Sequence, residues 1–249
     1  STCAPACGMF GRPNQHTGLT SDQCAPACAK DGGTFAPPAY DAAFVQSLVD
    51  DWVLAQPTAP LASDPYADAS APPDDPPGTV CAVLPGPPAS PRTYTLVTYP
   101  DEGAARAAGA DPTHFGHCGV CSPLVDLAAY MKNADLTSPV RACGIQALSD
   151  GGDAADVACL EALGFDEPCA QVWAYNTDNT RANCFDTCIA ELTAPYNEPD
   201  GALNPCLACD ESQSGPVFKA VAGRTRRNSG LADAICRPCS EVQPLVHAY

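Results

Sequence analysis

The sequence predicts a disulfide-rich secreted protein, mainly α-helical, with a small β element and much irregular chain. Three observations carry this expectation. Sixteen cysteines occur in 249 residues, most of them as close pairs. Apolar residues recur at helical spacing in several segments, whereas one run, Thr93 to Tyr99, has the β-branched and aromatic character of a strand. Proline and aspartate concentrate in one long stretch that cannot build a core of its own.

The cysteine pairs are Cys3/Cys7, Cys24/Cys28, Cys118/Cys121, Cys184/Cys188, Cys206/Cys209 and Cys236/Cys239; Cys81, Cys143, Cys159 and Cys169 stand apart. An even number of thiols can all be paired, as disulfides or around metal. Disulfides persist in secreted, periplasmic and lumenal proteins. A start at Ser1 in place of Met fits a processed chain in such a compartment, as does the scarcity of lysine, found at Lys30, Lys132 and Lys219. No apolar run reaches the 18 residues of a membrane span. The net charge of −17 opposes contact with nucleic acid phosphates and anionic lipid. The expected partners are therefore proteins, further copies of the chain, or a small anionic ligand.

Taken in order, residues 1–37 form a module in which Cys3-Ala-Pro-Ala-Cys7 is repeated as Cys24-Ala-Pro-Ala-Cys28. Two facing segments closed by two disulfides would resemble the twin CX3C hairpin of small intermembrane-space proteins, although each proline fits only a first helical turn. Residues 38–56 read as an amphipathic helix, with Phe44, Leu48 and Trp52 on one stripe and Pro57 ending it. Residues 57–91 are a Pro/Ala/Asp-rich linker, interrupted by Val80 to Leu84, so that its far end is tied to the body. The disulfide-stapled main domain covers 92–249. It opens with the strand at 93–99 and a short helix at 102–108. A third helix starts at Ser122-Pro123, with serine as N-cap and proline at the first helical position, and runs to Asn133. Asp153 caps a further helix ending at Gly164. Another runs from Pro168 towards Leu192, its stripe carrying Cys169, Trp173, Asn176, Thr180, Cys184 and Cys188. The amide and hydroxyl groups on that stripe need partners if it is buried. From Thr193 onward the chain reads as turn-rich.

The densest chemistry lies in His114-Phe-Gly-His117-Cys118-Gly-Val-Cys121-Ser122. As metal ligands, His114 and His117 would be joined by His247, and imidazoles suit copper or zinc. As a redox pair, Cys118 and Cys121 would sit before a helix N-terminus, which lowers a thiol pKa. Beside both stands a third reading, in which the two cysteines staple to distant partners and the histidines are satisfied core or surface residues. Cys206/Cys209 and Cys236/Cys239 have zinc-knuckle spacing, but in a cysteine-rich secreted chain they are expected as disulfides. The remaining expected staples are Cys3, Cys7, Cys24, Cys28, Cys81, Cys143, Cys159, Cys169, Cys184 and Cys188. Lys219, Arg224, Arg226 and Arg227 cluster within nine positions and form a candidate anion site; internal pairing with Asp210, Glu211 or Asp233 is the alternative.

Phe115-Gly-His-Cys-Gly-Val-Cys121, Glu167-Pro-Cys169, Trp173-Ala-Tyr-Asn176, Asp200-Gly-Ala-Leu-Asn204 and the run Ser214 to Gly230 resemble an uncharacterised family of predicted secreted proteins, over residues 94–249. That resemblance implies no activity. The sequence as a whole points to a structural or binding component of an extracellular assembly, with metal binding through the histidines as an added property. An extracellular metalloenzyme or oxidoreductase using copper or zinc, and thiol–disulfide exchange at Cys118/Cys121, are the alternatives.

Overall fold

The computed structural model describes residues 37–67, 74–198, 200, 202–235 and 241–249. The twin CxxxC module, Cys236 and Cys239 lie outside these. Among the described residues there are eight α-helices and one four-stranded sheet.

The first helix, α1 (Ala42–Asp50), starts where the Asp41 carboxylate accepts the Phe44 N–H at 2.8 Å. It stops at Asp51, earlier than the apolar stripe suggests. Trp52–Leu54 then form strand β1, parallel to β3 (Arg92–Tyr99), with Trp52 opposite Arg92. Period-four spacing could not distinguish these states, because Trp52 meets the core from either. Pairing with a strand forty residues away decides for β.

Strand β2 (Val80–Pro85) lies at the centre of the sheet, in the order β1-β3-β2-β4. It is antiparallel to both β3 and β4 (Asp111–Phe115). Val80, Cys81, Ala82 and Val83 are fully buried. A continuous apolar run of this kind marks a strand covered on both faces. The sequence boundary expected near Arg92 therefore falls between two paired strands. Helix α2 (Glu102–Ala107) links β3 to β4, capped by Asp101.

Helix α3 (Leu124–Lys132) carries the main core, with Leu124, Leu127, Ala128, Ala129 and Tyr130 buried. It packs against α1. Helices α4 (Thr137–Asp150) and α5 (Asp153–Ala162) form an antiparallel pair through the turn at Gly151 and Gly152, both at positive φ. The long helix α6 (Glu167–Ala190) carries Pro168 in its first turn, as predicted, and begins with a cap from Asp166. Its polar stripe finds partners on α7 (Pro205–Gln213). Asn176 donates to Asp210 at 3.1 Å, and Thr180 bonds both Asp210 and the Ser214 hydroxyl.

Two helices arise where the sequence suggested only turns. Asn204 caps α7 by accepting the Leu207 N–H at 2.9 Å, with Pro205 in the first turn. Helix α8 (Gly215–Ala222) follows directly. Their signal, an Asn-Pro helix start, resembles the one at Ser122-Pro123.

Five disulfides tie these layers together among the described residues. Cys81–Cys118 joins the central strand to the segment before α3, and Cys121–Cys169 joins that segment to α6. Cys143–Cys159 crosses from α4 to α5. Cys184–Cys209 and Cys188–Cys206 clamp α6 to α7. Outer cysteine meets outer and inner meets inner in this hairpin. It is the arrangement the sequence suggested for the N-terminal repeat, realised here by a CxxxC facing a CxxC.

Candidate functional site

The histidine–cysteine segment runs from β4 into α3, wedged between β2 and the end of α8. Val120 and Cys121 donate their backbone N–H groups to the Val221 and Ala222 carbonyls at 3.0 and 2.9 Å. The glycine in Cys118-Gly-Val-Cys121 has a packing reason. A Cβ on Gly119 would lie 2.4 Å from the Val221 oxygen and 2.5 Å from the Gly223 nitrogen. Gly223 answers from the other side at φ 70°, where a Cβ would meet Gly119 at 2.5 Å.

This approach separates the two cysteines. Cys118 bonds Cys81 and Cys121 bonds Cys169, so they do not form the redox pair expected from their spacing. Cys121 is fully buried. The thiol–disulfide exchange alternative is corrected accordingly: neither sulfur is a thiolate beside a resolving partner. Cys206 and Cys209, each bonded to α6, likewise make no zinc knuckle.

The three histidines lie near enough for His117 and His247 to oppose a charge on His114. Their ring nitrogens are nonetheless committed. His114 is fully buried, and its Nδ1 lies 3.0 Å from the Phe115 carbonyl, so that nitrogen carries the proton. Its Nε2 is 2.7 Å from Ser122 Oγ, which already accepts the Gly119 N–H at 2.8 Å; the hydroxyl therefore donates to Nε2. Burial, with Arg224 nearby, holds this ring far below the ordinary histidine pKa. His247 repeats the pattern. Nε2 donates to the Ser229 carbonyl at 2.9 Å and Nδ1 accepts from the Tyr249 hydroxyl at 3.2 Å. Burial, then Arg224, push it down to about 4. His117 is different. Its Nδ1 lies 2.8 Å from Asp75 and its Nε2 2.7 Å from the Ala220 carbonyl. Both partners are acceptors, so both contacts are hydrogen bonds only when the ring carries two protons.

A metal needs a free lone pair from each imidazole. Ser122 occupies that of His114, Tyr249 occupies that of His247, and both His117 nitrogens already face oxygen acceptors. Among the described residues no group of three His, Cys, Asp or Glu side chains is arranged to hold a metal ion. The copper or zinc site expected from His114, His117 and His247 is thus corrected: the histidines are hydrogen-bonding residues of the architecture. Ser122, expected as a helix cap, serves His114 instead, and α3 starts without a side-chain cap.

The basic cluster is also internal. Arg224 is completely buried and uses all five donors: Nε to the Cys121 carbonyl, and the remaining four to Thr113 O, Thr113 Oγ1, Ser122 O and Ser229 Oγ at 2.7–3.2 Å. Arg226 donates to the Tyr130, Asn133 and Ala232 carbonyls. Arg227 spans Glu211 and Glu241 at 2.7 and 2.6 Å. Lys219 stays largely exposed, 3.6 Å from Asp74. The expected anion site at Lys219, Arg224, Arg226 and Arg227 is therefore corrected: the guanidinium forks grip backbone carbonyls and two glutamates. Of the pairings foreseen, Glu211 pairs with Arg227 and Asp233 makes a weaker contact with Arg226 at 4.0 Å.

The described surface carries open recesses. One, of about 430 Å³, is floored by Leu54, Leu96, Val120 and Val221, with His117 and Cys118 on its wall. Another, of about 250 Å³, lies between α4, α5 and α6. Sequence reasoning missed its most unusual residue, Asp156. An aspartate in a first helical turn reads as ordinary dipole compensation, and nothing local signals its burial.

No curated protein and no solved structure matches the chain. Residues 153–245, from the start of α5 almost to the C-terminal segment, match a family of unknown function (DUF8771), consistent with the resemblance to an uncharacterised family.

Proposed function

We propose that this chain is a structural or binding component of an extracellular assembly. The observation that supports it most is the internal use of its chemistry-bearing side chains inside a body closed by five disulfides. Histidines, cysteines and arginines that could serve catalysis instead satisfy one another and the backbone. Such a body resists unfolding outside the cell, and function is left to its surface. No helix among the described residues is long and apolar enough to cross a membrane. Phe185 and Ile189, one turn apart on α6, are each half exposed and add apolar surface suited to protein contact.

The test is fractionation of the native, non-reduced protein from its source, followed by size analysis. Recovery in a surface-bound or high-mass fraction is expected. Recovery solely as a dispersed monomer, before and after gentle cross-linking, would contradict the proposal.

A further inference from the structure

The recess between α4, α5 and α6 is walled by Ala147 and Leu148 on one side and by Asp153, Asp156, Asp178 and Arg181 on the other. Asp156 is 2% exposed, and its Oδ1 has no hydrogen-bond partner. A buried carboxylate oxygen left unpaired costs about 1–3 kcal/mol or more, so it calls for a donor. None comes from the protein. Arg181 is bonded to Asp178 instead. Burial, then the charge of Asp153, raise the Asp178 carboxyl against the pull of Arg181, so two like charges lie close together here, an arrangement they avoid unless a proton or cation lies with them.

A bare metal ion does not fit these facts. The carboxylates are not gathered to coordinate one, and a space of about 250 Å³ far exceeds an ion. An organic cation matches both halves of the recess. Its charged head can donate to Asp156 Oδ1, and its stem can lie on Ala147 and Leu148. We propose that this recess binds a primary ammonium group on a short aliphatic chain, with Asp156 as its buried acceptor and the Asp153–Asp178 pair completing the anionic wall. This site goes beyond the assembly reading and does not depend on it.

The recess has a built-in pH dependence. Burial first, then the charges of Asp178 and Asp153, raise the Asp156 carboxyl to about 6 against the opposing pull of Arg181. Binding therefore strengthens as pH rises through 6, where the acceptor becomes charged.

The experiment is a titration of the disulfide-intact full chain with n-pentylamine at pH 7.5, followed by calorimetry and by amide chemical shifts. Neutral 1-pentanol and calcium chloride serve as comparisons. Saturable one-to-one binding of the amine is expected, with shifts centred on residues 147–156 and 178–181, and at least tenfold weaker binding of the alcohol. Asp156→Asn should weaken the amine tenfold or more. Leu148→Lys keeps the test open should that variant fail to fold. Leu148 is 61% exposed, so the change spares the core, and the new side chain places its own ammonium at the carboxylates. Added amine should then no longer bind. Absence of saturable binding, equal binding of the alcohol, calcium taking the same residues, or unchanged amine binding by Leu148→Lys would each overturn the proposal.

Discussion

The Asp75 carboxylate holds His117 twice, accepting its backbone N–H at 3.0 Å and its ring Nδ1–H at 2.8 Å across 42 residues of sequence. This contact fastens the middle of the proline-rich stretch to the body. Burial alone would raise the Asp75 carboxyl. The His117 backbone N–H, ring and charge, with Lys219 adding to them, hold it below its ordinary value of 3.8. A depressed carboxylate contributes stability that is present above that ordinary value and is lost as pH falls through the native one. Both side chains are partly exposed, so the contribution is expected to stay below about 1 kcal/mol. Asp75→Asn should therefore leave the melting temperature nearly unchanged. It should, however, speed proteolytic cleavage around residues 74–79 at neutral pH, and cleavage of the wild-type protein there should speed up as pH falls through the native Asp75 value.

Arg224 is the most demanding side chain in the core. Lysine offers three donors from one point and cannot reproduce a planar fork that reaches four residues. Arg224→Lys should destabilise the protein by about 3–5 kcal/mol, through carbonyls left unpaired and a buried charge left partly unpaired. Urea unfolding of the oxidised protein measures this directly. A loss under 1 kcal/mol would show that the five hydrogen bonds are not formed together.

Asp126 makes the opposite prediction. It is fully buried, with Oδ1 accepting the Asp166 N–H at 2.8 Å and Oδ2 unpartnered. Burial, despite that hydrogen bond, holds its pKa well above 3.8. The native state thus keeps a proton that the unfolded chain releases. The cost of this mismatch is absent below the ordinary value and grows above it by up to about 1.4 kcal/mol per pH unit, until the native pKa is reached. Asp126→Asn, which cannot ionise, should lack that slope. The difference in unfolding free energy between variant and wild type should move in favour of the variant as pH rises from 3 towards the native Asp126 value.

The paired clamp between α6 and α7 should matter more than either helix alone. Replacing Cys188 and Cys206 together by serine should cost about 2–4 kcal/mol. The Cys184–Cys209 bond should still form, since it spans the same antiparallel contact. Thermal unfolding under non-reducing conditions tests the first part, and thiol counting the second.

Local signals in the sequence were reliable where the physics is local. The start of α6 follows from Pro168, and its polar stripe correctly demanded partners; Ser122-Pro123 marked where α3 begins, although Ser122 does not cap it. Those partners, Asp210 and Ser214, lie 30 residues or more away and could not be named. The same limit hid β2. Val80 to Leu84 looked like a break in a linker, because its burial comes from strands that follow it. It also misdirected the histidines. Close spacing of His114, His117 and two cysteines suggests convergence on one ligand. The chain instead delivers the Phe115 carbonyl and Ser122 to His114, and Asp75 and the Ala220 carbonyl to His117, the last two distant in sequence from the HxxH pair.

The claim that these conspicuous residues build the body, and perform no exchange chemistry, rests on how Cys118 and Cys121 are paired. A peptide map of the native, non-reduced protein measures it. The expected result is Cys118 linked to Cys81 and Cys121 linked to Cys169. A peptide carrying a Cys118–Cys121 bond would contradict the account and restore the redox alternative.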